Sequence, residues 1–352
     1  MQLFTSFRLR GTELKNRIVV SPMCEYSAKD GHPTPWHLVH LGSRAVGGAA
    51  LVFTEATAVS EIGRISPQDT GIYLDSHVEA WRPIVEFLHA EGSLSGIQLA
   101  HAGRKASTDL PWLGGAPIPV HDGGWKPVAP SALPFDNGYT VPKALTLAEI
   151  DQVVADFVAA SKRALQAGFQ VVEIHSAHGY LLHEFLSPFA NQREDDYGGS
   201  FENRIRLPLR VAQGVREVWP ERQPVFVRIS ATDWKEDGWD LPQSIELARQ
   251  LKAVGVDLVD VSSGGVIPGV RIPLGPGYQV PFAEAIRSGA GIATGAVGMI
   301  VEAEQADTII STGQADLVLL AREMLRDPYW PRRAAQELGA KIKPPVQYER
   351  AW

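Results

Sequence analysis

The chain has 352 residues, 45% of them hydrophobic, which is enough for a large core and within the length range of single-domain α/β barrels. A formal net charge of −7 argues against nucleic acid or an anionic membrane as a partner, because both bind basic surfaces. One cysteine, Cys24, excludes an intrachain disulfide; with no secretory signal at the first residues, a cytoplasmic location is expected.

Eight short apolar runs alternate along the chain with segments of helical periodicity. The predicted strands are Ile18–Val20, Ala50–Thr54, Gly96–Ala100, Val171–His175, Val225–Ile229, Leu258–Val261, Gly291–Thr294 and Leu317–Leu320. The predicted helices are Trp36–Ala45, Ser76–Glu91, Leu147–Ala167, Phe201–Val218, Leu241–Val254, Val280–Ser288, Val301–Ser311 and Pro328–Leu338.

Helix-start and helix-stop residues support this alternation. Start signals are Ser76, Ser200 and the Asp327-Pro328 pair, and stop signals are the glycines at 92, 168, 255 and 313. Eight strand–helix repeats predict a closed (β/α)8 TIM barrel that spans residues 1–352 as one domain. An open doubly wound sheet is the structural alternative, although no G-x-G-x-x-G follows the first strand.

Two loops interrupt the rhythm. Residues 111–142 contain seven prolines and five glycines, so we expect a lid-like insertion or a surface elaboration with its own small hairpin. A second Gly/Pro-rich loop, Ser262–Gly277, follows the sixth strand. Both loops leave the carboxyl ends of predicted strands, the face on which barrel enzymes build their active sites.

Polar or small residues follow most of the predicted strands. They are Ser21–Tyr26, Glu55–Thr57, Gln98–His101, His175 with His178, Arg228, Thr294–Gly298 and Ala321-Arg322. Small residues that lead into helices after the last two strands suit a phosphate. Together with a buried Arg228 and the amide of Gln98, they suggest a phosphorylated planar cofactor across the barrel mouth.

The residues alone leave three interpretations of His175 and His178. They can be ordinary core histidines, or zinc ligands together with His101 or Glu173 in a barrel hydrolase. They can also be paired N–H donors that polarise a carbonyl or nitro oxygen, with Tyr180 as the proton donor. Cys24 is either a catalytic nucleophile or a small apolar filler.

Four longer motifs carry a specific resemblance. The segments Ser21–Cys24, Gln98–Lys105 and His175–Tyr180, with the long Asn191–Arg204 run, resemble the old yellow enzyme family of FMN-dependent ene-reductases. The likeness is to its thermophilic-like branch, which includes xenobiotic reductases, and it covers nearly the whole chain. We interpret Asn191–Arg204 itself as structural, a Gly-Gly turn with Ser200 capping the next helix.

The resemblance implies a set of cofactor-binding residues. Those expected to contact the flavin ring are Ser21, Pro22, Met23, Cys24, Ala56, Gln98 and Arg228, with Cys24 tuning its redox potential and Arg228 stabilising the reduced form. Those expected to hold the phosphate are Gly295, Ala296, Val297, Ala321 and Arg322. Ala321 departs from relatives, which usually have Gly before the Arg, so its methyl group must point away from the phosphate or shift it slightly.

The resemblance also implies the reaction and its substrate. NAD(P)H is expected to reduce the flavin, and an activated alkene is expected to accept hydride from flavin N5, with Tyr180 protonating its α-carbon. The residues expected to face the substrate are Tyr26, Lys105, His175, His178 and Tyr180. No metal is expected in this reading.

The C-terminal tail, residues 344–352, follows two prolines and carries Tyr348, Arg350 and Trp352. The resemblance implies that Arg350 reaches a neighbouring subunit's site across the interface of a homodimer or homotetramer. The alternative is that the tail packs on its own barrel.

Overall fold

The computed structural model describes residues 1–352, and eight parallel strands in it form a closed barrel. Their bounds are β1 Ile18–Val20, β2 Leu51–Ala58, β3 Leu94–Ala100, β4 Val171–Ser176, β5 Val225–Ser230, β6 Leu258–Ser262, β7 Ala293–Val297 and β8 Leu317–Leu320. Each strand pairs with its neighbours in chain order, and β8 closes the ring on β1 through Val318↔Ile18. The predicted TIM barrel is therefore confirmed.

Eleven helices accompany the strands. Their bounds are α1 Pro35–Val46, α2 Asp75–Ala90, α3 Leu147–Ala167, α4 Leu181–Leu186, α5 Phe201–Arg204, α6 Arg206–Val218, α7 Leu241–Ala253, α8 Val280–Ala290, α9 Ala303–Ser311, α10 Arg322–Arg326 and α11 Trp330–Glu337. The main core lies between the strands and these helices. No helix is long and apolar enough to cross a membrane.

A second, smaller core fills the lower half of the barrel. Its members include Phe53, Phe226 and Leu319, which project inward from three strands. An antiparallel hairpin, Phe7–Leu9 with Thr12–Leu14, lies below them, and Leu14 is fully buried in this inner core. The end of the barrel that receives the strands' amino termini is thus plugged.

Most strand boundaries differ from prediction: β3 begins at Leu94 rather than Gly96, β7 ends at Val297 rather than Thr294, and β4, β5 and β6 each end one residue later. β2 runs to Ala58 rather than Thr54, with a register shift between Phe53 and Ala56, so residues 55–57 lie inside the strand. β7 begins at Ala293 rather than Gly291, because Gly291 adopts a left-handed conformation that ends α8. Small residues are tolerated in β7 because Leu319 occupies the space beside Gly295.

Three helix boundaries also correct the prediction. Ser76 is inside α2, whose N-cap is Leu74. Asp327 does not cap a helix at Pro328; its carboxylate accepts the Tyr329 N–H, and α11 starts at Trp330. The predicted single helix 201–218 is divided at Ile205 into α5 and α6.

The insertion at 111–142 has little regular structure. Two single-turn 3-10 helices, Pro111–Leu113 and Val120–Asp122, precede a two-residue strand, Val128–Ala129. That strand pairs with Lys143–Ala144 in the parallel sense, so the alternative of a local hairpin is wrong.

The Asn191–Arg204 motif is structural, as predicted. The buried Asn191 amide donates to the carbonyls of Phe185 and Tyr197 at 2.8 and 2.7 Å. Ser200 Oγ accepts the Asn203 N–H and caps α5, and Arg204 donates to the Leu186 carbonyl. The motif fastens the α4 segment to α5 and α6.

Candidate active site

The carboxyl ends of the strands bring most of the predicted site residues to one mouth. The strand register places Ala56 beside Gln98, Gln98 beside Glu173, and His175 beside Arg228. Ser21 follows β1 and is tied to β8 by its N–H, which donates to the Leu320 carbonyl. Parallel strands in a closed barrel dictate this convergence.

Arg228 forms a buried ion pair with Asp260 at the mouth. Its Nε lies 3.0 Å from Asp260 Oδ2, but the two atoms are not aligned as a hydrogen bond. Burial and Asp260 raise the pKa of the nearby Glu173, which instead accepts the Gln98 amide at 2.7 Å. Because the pKa of Glu173 is raised, Glu173 and Asp260 do not both carry a negative charge that neutralises the Arg228 guanidinium.

Several buried polar atoms around Arg228 have no partner in the protein. They include Ser21 Oγ, Glu173 Oε2 and His175 Nδ1. The Arg228 guanidinium likewise makes no hydrogen bond within the fold. Because buried polar groups are normally satisfied, these atoms fit a polar, partly anionic planar group such as a flavin ring.

The predicted phosphate residues are only partly brought together. Val297, Ala321 and Arg322 line a cleft of about 420 Å³ at the ends of β7 and β8, with Ser262 and Gln279 opposite. Gly295 and Ala296 do not line it, since the strand reaches the cleft only with its last residue, Val297. The helix after β7 starts at Ala303, so loop residues near Gly298 supply the free backbone there.

His175, His178 and Tyr180 form a tight group. The His175 ring is 5.2 Å from the His178 ring and 5.0 Å from the Tyr180 ring, both edge-on. His178 Nε2 lies 2.7 Å from Ser262 Oγ. When the Ser262 hydroxyl donates to Nε2, the other nitrogen of a neutral His178 carries its proton.

The environment fixes the charge state of all three side chains. Burial, with Arg228 nearby, lowers the pKa of His175 and of His178 well below its ordinary value. Burial raises the pKa of Tyr180 well above 10. Neutral imidazoles and a protonated phenol can all donate hydrogen bonds to a ligand oxygen.

Cys24 and Tyr26 lie at the same mouth. Burial, followed by Asp69 and Glu55, raises the pKa of the Cys24 thiol. A thiol held in its neutral form is a poor nucleophile, so the geometry does not favour nucleophilic catalysis by Cys24. Tyr26 contacts Trp112 of the insertion edge-on, with ring centroids 5.9 Å apart.

Two residues predicted to face the substrate are engaged differently. The Lys105 ammonium donates to the carbonyls of His178 and Gly265 at 2.9 and 3.0 Å, so it links two loops instead of pointing freely into the mouth. Arg350 is exposed at the surface. The neighbouring Trp352 packs near Arg332, which donates to the Val46 carbonyl at the opposite pole of the barrel.

Sequence reasoning missed the groups that support this constellation. Ser230 Oγ accepts the His178 N–H, and His183 Nδ1 accepts the Gly179 N–H, while Asp233 accepts from His183 Nε2. Two features of the sequence could have indicated them: His183 is a histidine in the largely apolar α4, and Asp233 follows the end of β5 by three residues.

The zinc alternative lacks its ligand set. A zinc site takes at least three protein ligands. His175 and His178 do not meet a third His, Cys, Asp or Glu in any arrangement that could hold a metal ion.

The chain is similar to known flavin-dependent oxidoreductases over nearly its whole length. The model of the NADH:flavin oxidoreductase / NADH oxidase family matches residues 2–341. "NADPH dehydrogenase" of Geobacillus sp. (strain WCH70) is 49% identical over 99% of this chain and 98% of its own length. The protein of the same name from Listeria innocua is 50% identical over 100% and 99%.

Solved structures agree with the fold. Morphinone reductase superposes with a TM-score of 0.81 at 29% identity, covering 98% of this chain and 92% of its own. The old yellow enzyme homologue from Zymomonas mobilis is 30% identical, with a TM-score of 0.80 and coverage of 99% and 96%. A match over nearly the whole length, joined to a mouth that suits a flavin, places the chain in the NADH:flavin oxidoreductase / NADH oxidase family as an FMN-dependent oxidoreductase of the old yellow enzyme type.

Proposed function

We propose that this oxidoreductase is an ene-reductase that uses NAD(P)H to reduce the activated C=C bond of α,β-unsaturated carbonyl or nitro compounds. The observation that supports it most is the group of His175, His178 and Tyr180, three neutral donors in which the His175 ring lies 5.2 and 5.0 Å from the other two rings. Such donors stabilise negative charge that develops on a carbonyl or nitro oxygen.

The residues of the mouth divide into those that bind the flavin ring and those that bind its phosphate. Ser21, Pro22, Met23, Ala56, Gln98 and Arg228 hold the flavin ring, while the cleft at Val297, Ala321 and Arg322 takes the phosphate. When bound, FMN supplies hydride transfer between NAD(P)H and the alkene. The Arg228 guanidinium stabilises negative charge on the ring portion beside it.

The substrate side uses the remaining donors. His175 and His178 orient the substrate by its oxygen, and Tyr180 delivers a proton to the α-carbon. The high pKa of Tyr180 keeps the phenol protonated over the working pH range, which is the form that this step consumes. Tyr26, which contacts the insertion residue Trp112, packs against the same small apolar cluster as Tyr180.

We also infer a cytoplasmic homo-oligomer in which Arg350 completes a neighbouring subunit's site. Its position by the opposite pole of its own barrel supports action in trans. The single, unpaired Cys24 is compatible with a reducing compartment.

The test of function is spectroscopic and kinetic. Purified protein incubated with FMN should acquire flavin absorbance, lose it on adding NADPH, and regain it on adding 2-cyclohexen-1-one without oxygen. Reoxidation by oxygen alone, with no turnover of enones or nitroalkenes, would contradict the ene-reductase proposal while leaving the flavoprotein assignment intact.

A further inference from the structure

The turn between β4 and α4 has an unfavourable backbone. His178 and Gly179 both have positive φ, 57° and 73°. A Cβ at position 179 would lie 2.2 Å from the Gly265 carbonyl oxygen, so only glycine fits there. A left-handed histidine persists only where its surroundings hold it, and this one carries a donor of the substrate site.

Side-chain contacts hold three polar backbone groups of this turn. The His178 N–H donates to Ser230 Oγ at 3.0 Å, and the His178 carbonyl accepts from Lys105 Nζ at 2.9 Å. The Gly179 N–H donates to His183 Nδ1 at 2.9 Å. His183 is thus the partner of the residue that makes the turn possible.

The hydrogen bonds determine the tautomer of His183. Because Nδ1 accepts the Gly179 N–H, it must carry a lone pair, and the proton is on Nε2. Nε2 donates to Asp233 Oδ1 at 3.0 Å. The other oxygen of Asp233 accepts from Ser187 Oγ and from the Trp239 N–H at 2.7 and 2.8 Å.

The pair is sealed from solvent. The side chains of His183 and Asp233 are fully buried. The carboxylate of Asp233 accepts hydrogen bonds at both oxygens, as its partners His183, Ser187 and Trp239 require. An asparagine there would have to place its NH2 group opposite either the Trp239 N–H or His183 Nε2. The second orientation would move the histidine proton to Nδ1, opposite the Gly179 N–H.

We infer that His183, oriented by Asp233, is a positioning residue that fixes the His178–Tyr180 turn and so sets the geometry of the substrate donors. The inference rests on the proposed function for its kinetic consequence, but its structural part concerns the turn alone. Misplacement of such donors by about 1 Å is enough to cost roughly 10²-fold in rate.

Three variants separate positioning from folding. His183→Leu removes the acceptor for the Gly179 N–H and should lower kcat/KM for 2-cyclohexen-1-one by about 10²-fold. His183→Asn keeps an acceptor near the Nδ1 position and should recover most of that loss. Asp233→Asn should resemble His183→Leu. FMN content, read from flavin absorbance, should remain at one per chain in all three.

Two further readouts do not depend on turnover. Amide hydrogen exchange in a peptide spanning 177–182 should speed up in His183→Leu and return toward the unaltered rate in His183→Asn. Binding of 4-hydroxybenzaldehyde, a phenol with a carbonyl, should weaken in parallel. His89→Leu is the matched control, since His89 is a half-buried histidine that contacts Ser95 on the distant α2 side.

The outcomes discriminate clearly. Unchanged exchange and unchanged phenol affinity in folded His183→Leu overturn the inference, as does an equal loss in His89→Leu. Loss of thermal stability with unchanged kinetics per bound FMN would show a purely structural role. If the unaltered enzyme reduces no alkene, the proposed function fails, and hydrogen exchange still decides whether His183 holds the turn.

Discussion

His175 and His178 are kept uncharged by burial, and this decides what they can do. A charged imidazolium would compete with Arg228 for the same anionic group, whereas a neutral imidazole donates one hydrogen bond without adding charge. The sequence predicted paired donors at the end of β4, and the structure places their rings 5.2 Å apart.

Removal of one donor gives the first prediction. His175→Ala and His178→Ala should each slow alkene reduction by about 10²-fold and weaken phenol binding, because an oxyanion-stabilising hydrogen bond is lost. Stopped-flow measurement of the two half-reactions checks this, since flavin reduction by NADPH should suffer less. His175→Asn, which retains an N–H donor, is the control, and equal collapse of both half-reactions at full FMN content contradicts the role.

A second prediction concerns pH. Burial lowers the pKa of Lys105 to about 8, with Arg104 acting in the same direction and Glu184 opposing. Below about pH 8 the ammonium holds the His178 and Gly265 carbonyls, and above it these bonds weaken as the proton is lost. Alkene reduction should therefore decline as pH rises through about 8.

Lys105→Met provides the comparison for this pH profile. The variant should be slower at neutral pH and should lack the decline, because methionine has no proton to lose. A decline of the same size in Lys105→Met would assign it to another group.

The elements show where sequence patterns succeed and fail. Alternating apolar runs predicted eight strands and the barrel, since burial on both faces leaves a clear signal. The bulge in β2 was not predictable, because Glu55 and Thr57 are polar and yet buried. Hydrogen bonds satisfy them: the Glu55 carboxylate contacts His37 and the Glu25 N–H, and the Thr57 hydroxyl contacts that of Thr54. The start of β7 was placed too early because Gly291, which ends α8 in a left-handed conformation, was interpreted as the first residue of the strand.

The site was predictable to a similar degree. Residues at strand ends were found because the fold makes their convergence certain. The support from Ser230, His183 and Asp233 was missed, because their roles arise from contacts between residues far apart in sequence.

At this scale we predict a stability effect for the Asn191–Arg204 motif. Asn191→Ala leaves two buried carbonyls, of Phe185 and Tyr197, without their donor and should cost about 1–3 kcal/mol. Thermal unfolding of the FMN-loaded protein measures this. Ser200→Ala, which removes a helix cap, should cost about 1 kcal/mol. A large change in kcat/KM at full FMN content would show that the motif is not purely structural.

The whole molecule raises the question of the tail. Arg350 is exposed while Trp352 packs near Arg332 at the pole away from the mouth. If Arg350 acts on a neighbouring subunit, mixing a variant truncated before residue 344 with His175→Ala should restore some activity, because one mixed site combines an intact barrel with an intact tail. Activity of mass-verified heterodimers is the measurement, and no recovery would confine the tail to its own subunit.

The plugged lower end of the barrel has a kinetic consequence. The Phe7–Leu14 hairpin and the inner core above it leave no passage along the barrel axis, so the cavity is open at one end only. NAD(P)H and the alkene, which share this entrance and the same binding site, must therefore bind one after the other. Double-reciprocal plots of initial rate should then be parallel lines. An excess of either reactant should inhibit the reaction, because it occupies the enzyme form to which the other reactant binds.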